Sequence, residues 1–91
     1  MRIWKYPLAV TDSQELRLPK GARVLSIQAQ HAVPTLWALV DPQAKDTELW
    51  QFVTIGTGHL APPDLAMFQF FSTYQLSGGT LVFHVFLRRA S

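Results

Sequence analysis

Cysteine is absent from all 91 residues. That excludes disulfides, thiolate nucleophiles and Cys-ligated zinc together, so stability has to come from packing or from partner subunits. Charge is scarce too. Asp, Glu, Lys and Arg make up 15% of the chain, against about a quarter in an average domain. So little charged surface leaves apolar surface to cover, which points to self-association. The competing account is that three Trp and six Phe all fit inside one tight core. Long apolar runs are missing as well: no stretch nears the ~18–20 residues of a membrane span. No apolar signal core precedes the polar Thr11-Asp12-Ser13. The expectation is a soluble cytoplasmic protein with no membrane partner.

Basic residues are present without being gathered. Eight Lys and Arg against six acids give a net charge of +2. They are scattered, and the one pair, Arg88-Arg89, stands near the end of the chain, where a mobile tail is expected. Nucleic-acid binders cluster their cations on one face or helix, so DNA and RNA are disfavoured as partners.

What the chain does have is a cadence. At least six short runs of Val, Leu, Ile, Phe and Trp are each cut off by Pro, Gly or Asp, and no amphipathic helix lies between them. Arg2 to Leu8 alternates, with Pro7 marking an edge strand or its end. Gln14 to Leu18 reads as a short return strand with Leu16 and Leu18 facing in. Pro19-Lys20-Gly21-Ala22 fits a type II or a type I turn. Arg23 to His31 alternates with Leu25, Ile27 and Ala29 inward. Thr35 to Val40 and Glu48 to Ile55 are apolar on both faces, as strands covered on each side are. Asp41 to Asp46 is a polar hairpin loop. Leu65 to Phe71 fits one helical turn after an Asp64 cap or the front of a strand. Ser72 to Leu76, a Ser77-Gly78-Gly79 turn and Thr80 to Leu87 complete the pattern. The fold class is all-β: a small antiparallel β-sandwich or partly open barrel of six to eight strands. It forms one domain over residues 1–91, with room for a short helical turn near residues 62–68.

Gly56-Thr57-Gly58-His59 follows a two-sided strand and runs into Pro62-Pro63. Glycines let backbone N–H groups approach a ligand and can form an anion-holding nest. Thr57 adds a hydroxyl, and His59 adds a donor that can carry charge near neutral pH. The alternative is a strand-ending bulge. Spacing excludes a dinucleotide fingerprint and a P-loop. His84, mid-strand between Phe83 and Val85, reads as a packed, hydrogen-bonded residue. Three dispersed His without a paired acid make no metal site. No nucleophile elbow or carboxylate pair is visible, so no catalytic residue, cofactor or enzymatic activity is expected. Trp37 and Trp50 lie on two-sided strands, so one ring can face out of the core. Trp4, beside Lys5 and Tyr6, is the better surface candidate.

Four blocks taken together, Ile3-Trp4-Lys5-Tyr6-Pro7-Leu8, Leu36-Trp37-Ala38-Leu39-Val40-Asp41-Pro42, Gly56-Thr57-Gly58-His59 and Phe83-His84-Val85-Phe86, give the chain a resemblance. It resembles a family of short bacteriophage and prophage proteins. The likeness spans nearly the whole chain, with no fixed pattern between Leu60 and Phe71. It implies origin and context, and it carries no catalytic residues over. Such a resemblance implies a protein that antagonises host defence or host enzymes by binding, without chemistry of its own.

The leading expectation is therefore a phage-encoded, non-catalytic binding protein acting in the host cytoplasm. In concrete form it is a homo-oligomer that sequesters a small nucleotide-type ligand. Lys5, Arg23 and His59 would neutralise phosphate, Thr57 with the amides of Gly56 and Gly58 would orient it, and Trp4 or Trp37 would stack on a base. The alternatives are a direct inhibitor of a host defence protein, pairing through the edge strand Arg2–Leu8, and a virion structural or assembly accessory.

Overall fold

A computed structural model describes residues 1–90. Seven strands follow in order: β1 (Arg2–Pro7), β2 (Ser13–Pro19), β3 (Arg23–Gln30), β4 (Val33–Val40), β5 (Thr47–Gly56), β6 (Gln69–Leu76) and β7 (Leu81–Arg89). Single 3-10 turns at Leu65–Met67 and Ser77–Gly79 are the helical segments among the described residues. The strands form two antiparallel sheets, one in the order β1-β4-β3 and the other β2-β5-β7-β6. The fold is thus a small all-β open sandwich. Its two sheets approach along β3 and β6, where the Ser72 hydroxyl donates to the Ile27 carbonyl at 2.5 Å. On the opposite side β1 and β2 are both terminal strands of their sheets.

Alternation decides which residues fill the space between the sheets. Leu36, Ala38 and Val40 of β4 meet Leu18, Phe52, Val85, Leu87 and Tyr74 from the other sheet. Leu18, Ile27, Leu36 and Val40 have no exposed surface, and burial on that scale stabilises by about 1.5–3 kcal/mol per side chain. Glu48 is buried at the end of this layer, accepting from the Gly21 N–H at 2.5 Å and pairing with Arg89 at 3.0 Å.

Two expectations need correction, and one left open is settled. Leu25 does not face the core. A β-bulge between Val24 and Ser26 inserts one residue against β4, so Val24, Ile27 and Ala29 take the inward positions and Leu25 is 40% exposed. One extra residue reverses the phase of everything before it. Arg88-Arg89 is no tail either, since both lie in β7 opposite Gln51 and Trp50. Cross-strand polar partners hold them there: Arg88 Nε donates to Gln51 Oε1 at 2.6 Å, and Arg89 pairs with Glu48. The stretch Leu65 to Phe71 is both of the forms considered, a 3-10 turn and then the start of β6 at Gln69.

The hairpin between β3 and β4 turns through His31 and Ala32, both at positive φ (50° and 65°). A two-residue type I′ hairpin loop requires that sign at both centres, and Asn-Gly normally supplies it. His-Ala does so with strain.

Candidate functional site

The outer face of the four-stranded sheet carries a large cleft. Val53, Ile55, Ser13, Glu15, Gln51 and Arg88 point away from the sandwich core, by strand alternation and cross-strand pairing. The segment after β5 folds back over them, and a cleft of about 920 Å³ lies between that segment and the sheet. Val53 is buried although it faces outward, and residues 59–64 with Phe68 form the opposite wall of the cleft. A strand apolar on both faces asks for a cover on each. The Pro-rich loop is the second cover.

Polar groups in this cleft are held in place. Gln51 donates through Nε2 to Glu15 Oε2 at 3.0 Å and accepts from Arg88 Nε. The Arg88 guanidinium sits 4.5 Å from the centroid of Phe68, a cation–π contact that ties β7 to the covering segment. The cleft is acidic on balance: Asp12, Glu15 and Asp64 line it against the one guanidinium of Arg88, with His59 also on its wall.

The Gly56-Thr57-Gly58-His59 bend is a closed β-turn. The His59 N–H donates to the Gly56 carbonyl at 3.0 Å, and Gly58 at φ +86° occupies the third turn position. The Thr57 N–H donates to the Val82 carbonyl. With both of those amides used, no run of successive N–H groups is left to cradle an anion. A Cβ at Gly56 would meet the His59 ring at 3.0 Å, so any other residue there would make the imidazole give by a few tenths of an ångström. The Thr57 hydroxyl is 2.7 Å from His84 Nε2, and the Thr73 hydroxyl is 3.0 Å from His84 Nδ1.

The eight residues singled out for ligand contact are distributed over separate surfaces. Gly56 and His59 line the cleft; Thr57 and Gly58 are in the turn beside it. Lys5, Trp37 and Arg23 share the outer face of the three-stranded sheet, Lys5 opposite Trp37 and Arg23 opposite Leu39. Trp4 points the other way, opposite core residue Ala38, and is 39% exposed at the sandwich rim. One chain does not bring these two groups together. Of the two tryptophans on two-sided strands, Trp37 faces outward. Trp50 packs against the core with its Nε1 buried and unpartnered.

Sequence reasoning missed the cleft floor of Ser13, Glu15, Gln51 and Arg88. The usable signal was the two-sided strand Glu48–Ile55 followed directly by a Pro-Pro loop. No group of three or more His, Cys, Asp or Glu is placed to hold a metal ion among the described residues. No helix among them is long and apolar enough to cross a membrane.

The model of a family described as a domain of unknown function (DUF7352) matches residues 1–91. The chain belongs to that family. No curated protein and no solved structure matches it. The DUF7352 match runs through both sheets and the covering segment alike, so the cleft falls wholly within the matched residues.

Proposed function

We propose that this protein is a non-catalytic binder that sequesters a small, donor-rich ligand of nucleoside type in the cleft on its four-stranded sheet. The observation that carries this reading is the cleft itself. Its volume of about 920 Å³ lies within the ~300–1,000 Å³ of small-molecule sites. Its lining is mixed, with Val53, Ile55, Pro62 and Phe68 beside Asp12, Glu15, Gln51 and Arg88, which suits a ligand with both a flat apolar face and hydrogen-bonding edges. Glu15 and Gln51 are already oriented by each other and by Arg88, which lowers the cost of ordering them around a ligand.

Charge decides which part of a nucleotide the cleft favours. Three carboxylates oppose one guanidinium. A unit negative charge roughly 8 Å from a carboxylate is opposed by about 2 kcal/mol at an effective dielectric near 20. Phosphate is therefore disfavoured, and ligands that donate hydrogen bonds are favoured: base N–H groups, ribose hydroxyls or amines. A carboxylate accepts two parallel N–H bonds from a guanine edge in the way it accepts an arginine fork. The cations that a phosphate would need, Lys5 and Arg23, lie on the other sheet. The resemblance to short phage proteins supports an infected bacterial cell as the setting, with host signalling molecules among the candidates.

Isothermal calorimetry with guanosine, adenosine and their 5′-monophosphates tests the reading. Nucleosides should bind, their monophosphates should bind several-fold more weakly, and Glu15→Gln should weaken the nucleosides while narrowing that gap. No heat from any of them, or tighter binding of the phosphates, would remove the proposal.

A further inference from the structure

The free edge of the three-stranded sheet has a backbone pattern that its own copy complements. Strand β1 is terminal in its sheet, and every residue in it except Tyr6 is exposed. The Leu8 N–H donates to the Pro34 carbonyl at 2.8 Å, one step beyond the Pro7–Thr35 pair. Even-numbered residues of β1 therefore aim their backbone groups at β4. By alternation Ile3, Lys5 and Pro7 aim theirs outward. Pro7 has no N–H to offer and stands where the single chain loses nothing by it. The open donors are the amides of Ile3 and Lys5.

We propose that a second copy of this chain adds at this edge, β1 antiparallel to β1, about a two-fold axis passing beside Trp4. The axis is perpendicular to the sheet, and outward positions pair only with outward positions, so few registers exist. Centring on Lys5 sets Lys5 against the partner's Lys5 and puts Ile3 opposite a proline that cannot donate. Centring on Ile3 leaves Tyr6 and Pro7 beyond the overlap. Centring on Trp4 does neither.

In that register Ile3 and the partner's Lys5 exchange both backbone bonds, twice by symmetry, giving about four new hydrogen bonds. Arg2 lies opposite the partner's Tyr6, a cation beside an aromatic ring. Trp4 meets the partner's Trp4 on the side of the sheet that carries Leu36, Ala38 and Val40, so the two cores become continuous through the ring that is 39% exposed in one chain. Ile3, 60% exposed, lies beside the partner's Lys5. In the single chain Lys5 Nζ donates to Gln30 Oε1 at 2.9 Å; it would exchange that bond for the new seam, its aliphatic stem covering Ile3. The strand contains no acid, so charge disfavours the Lys5-centred register and overlap disfavours the Ile3-centred one. Two three-stranded sheets become one of six strands, and an edge that would otherwise recruit foreign strands is closed. This inference stands apart from the cleft reading, because its site is on the other sheet.

Sedimentation equilibrium of the full chain tests it, with circular dichroism confirming that each variant is folded. The native protein should be dimeric at micromolar to tens of micromolar concentration. Trp4→Lys, which sets two cations at the axis, should weaken dimerisation at least tenfold. Ile3→Glu brings a carboxylate opposite the partner's Lys5 and should tighten the dimer about three- to tenfold at low salt; Ile3→Lys should weaken it. A monomer at every concentration overturns the proposal. So does a dimer indifferent to Trp4→Lys, or one weakened by Ile3→Glu.

Discussion

The Thr57 hydroxyl lies 2.7 Å from Nε2 of His84 and fastens the turn after β5 to the middle of β7. His84 is held on its other side by Thr73, 3.0 Å from Nδ1. One assignment satisfies every group with a neutral ring. Nε2–H donates to Thr57, whose own hydroxyl donates toward the Val82 carbonyl at 3.5 Å, and the Thr73 hydroxyl donates to Nδ1. Thr57→Val keeps the shape and removes the bond. It should lower unfolding free energy by about 1 kcal/mol, read from urea denaturation. An unchanged midpoint would mean the turn is held by its backbone bonds alone.

The His31-Ala32 turn predicts a gain. Ala32 sits at φ 65°, in the left-handed region that costs an L-residue about 1–2 kcal/mol. Ala32→Gly relieves that, less the larger entropy glycine has in the unfolded chain. Stability should rise by about 0.5–1 kcal/mol in chemical denaturation. A loss on substitution would place the strain elsewhere.

The bulge in β3 makes two neighbouring aliphatic residues unequal. Ile27 has no exposed surface and Leu25 is 40% exposed. Ile27→Ala should cost about 2–5 kcal/mol. Leu25→Ala should stay within about 0.5 kcal/mol. Matched thermal melts of the two variants measure the difference, and equal losses would contradict the bulged register.

Burial raises the pKa of the Tyr74 phenol above its ordinary 10.0. Unfolding exposes the ring and lets it ionise sooner, so the unfolded state binds fewer protons in that window. Stability from this group is complete below about pH 10 and is lost as pH rises through the higher folded value. Denaturant midpoints should fall more steeply above about pH 10 in the native chain than in Tyr74→Phe. Parallel profiles would show that the phenol is free to ionise in the folded state.

Strand existence and class were legible because period-two patterning and Pro/Gly punctuation are local signals. Leu16 and Leu18 face inward as their spacing says. The bulge at Leu25 was not legible, since one extra residue leaves the alternation intact while moving it to the other face. The site was harder still. Gly56 and His59 line the cleft, but its floor comes from β2, β5 and β7, which are far apart in sequence. Lys5 and Arg23 looked like partners for the glycine turn only while the assignment of strands to sheets was unknown. The Thr73–His84 pair, by contrast, follows from counting back from the Ser77–Gly79 turn.

The central claim is that the acidic cleft holds a small donor-rich molecule. A titration of isotope-labelled protein with guanosine, followed through backbone and side-chain amide shifts, tests it most directly. Saturable changes should concentrate at Ser13, Glu15, Gln51, Val53, Ile55 and His59, with the Gln51 side-chain amide among the largest and the outer face around Lys5 and Trp37 still. Shifts that gather around Lys5, Arg23 and Trp37 instead, or none at all, would contradict it.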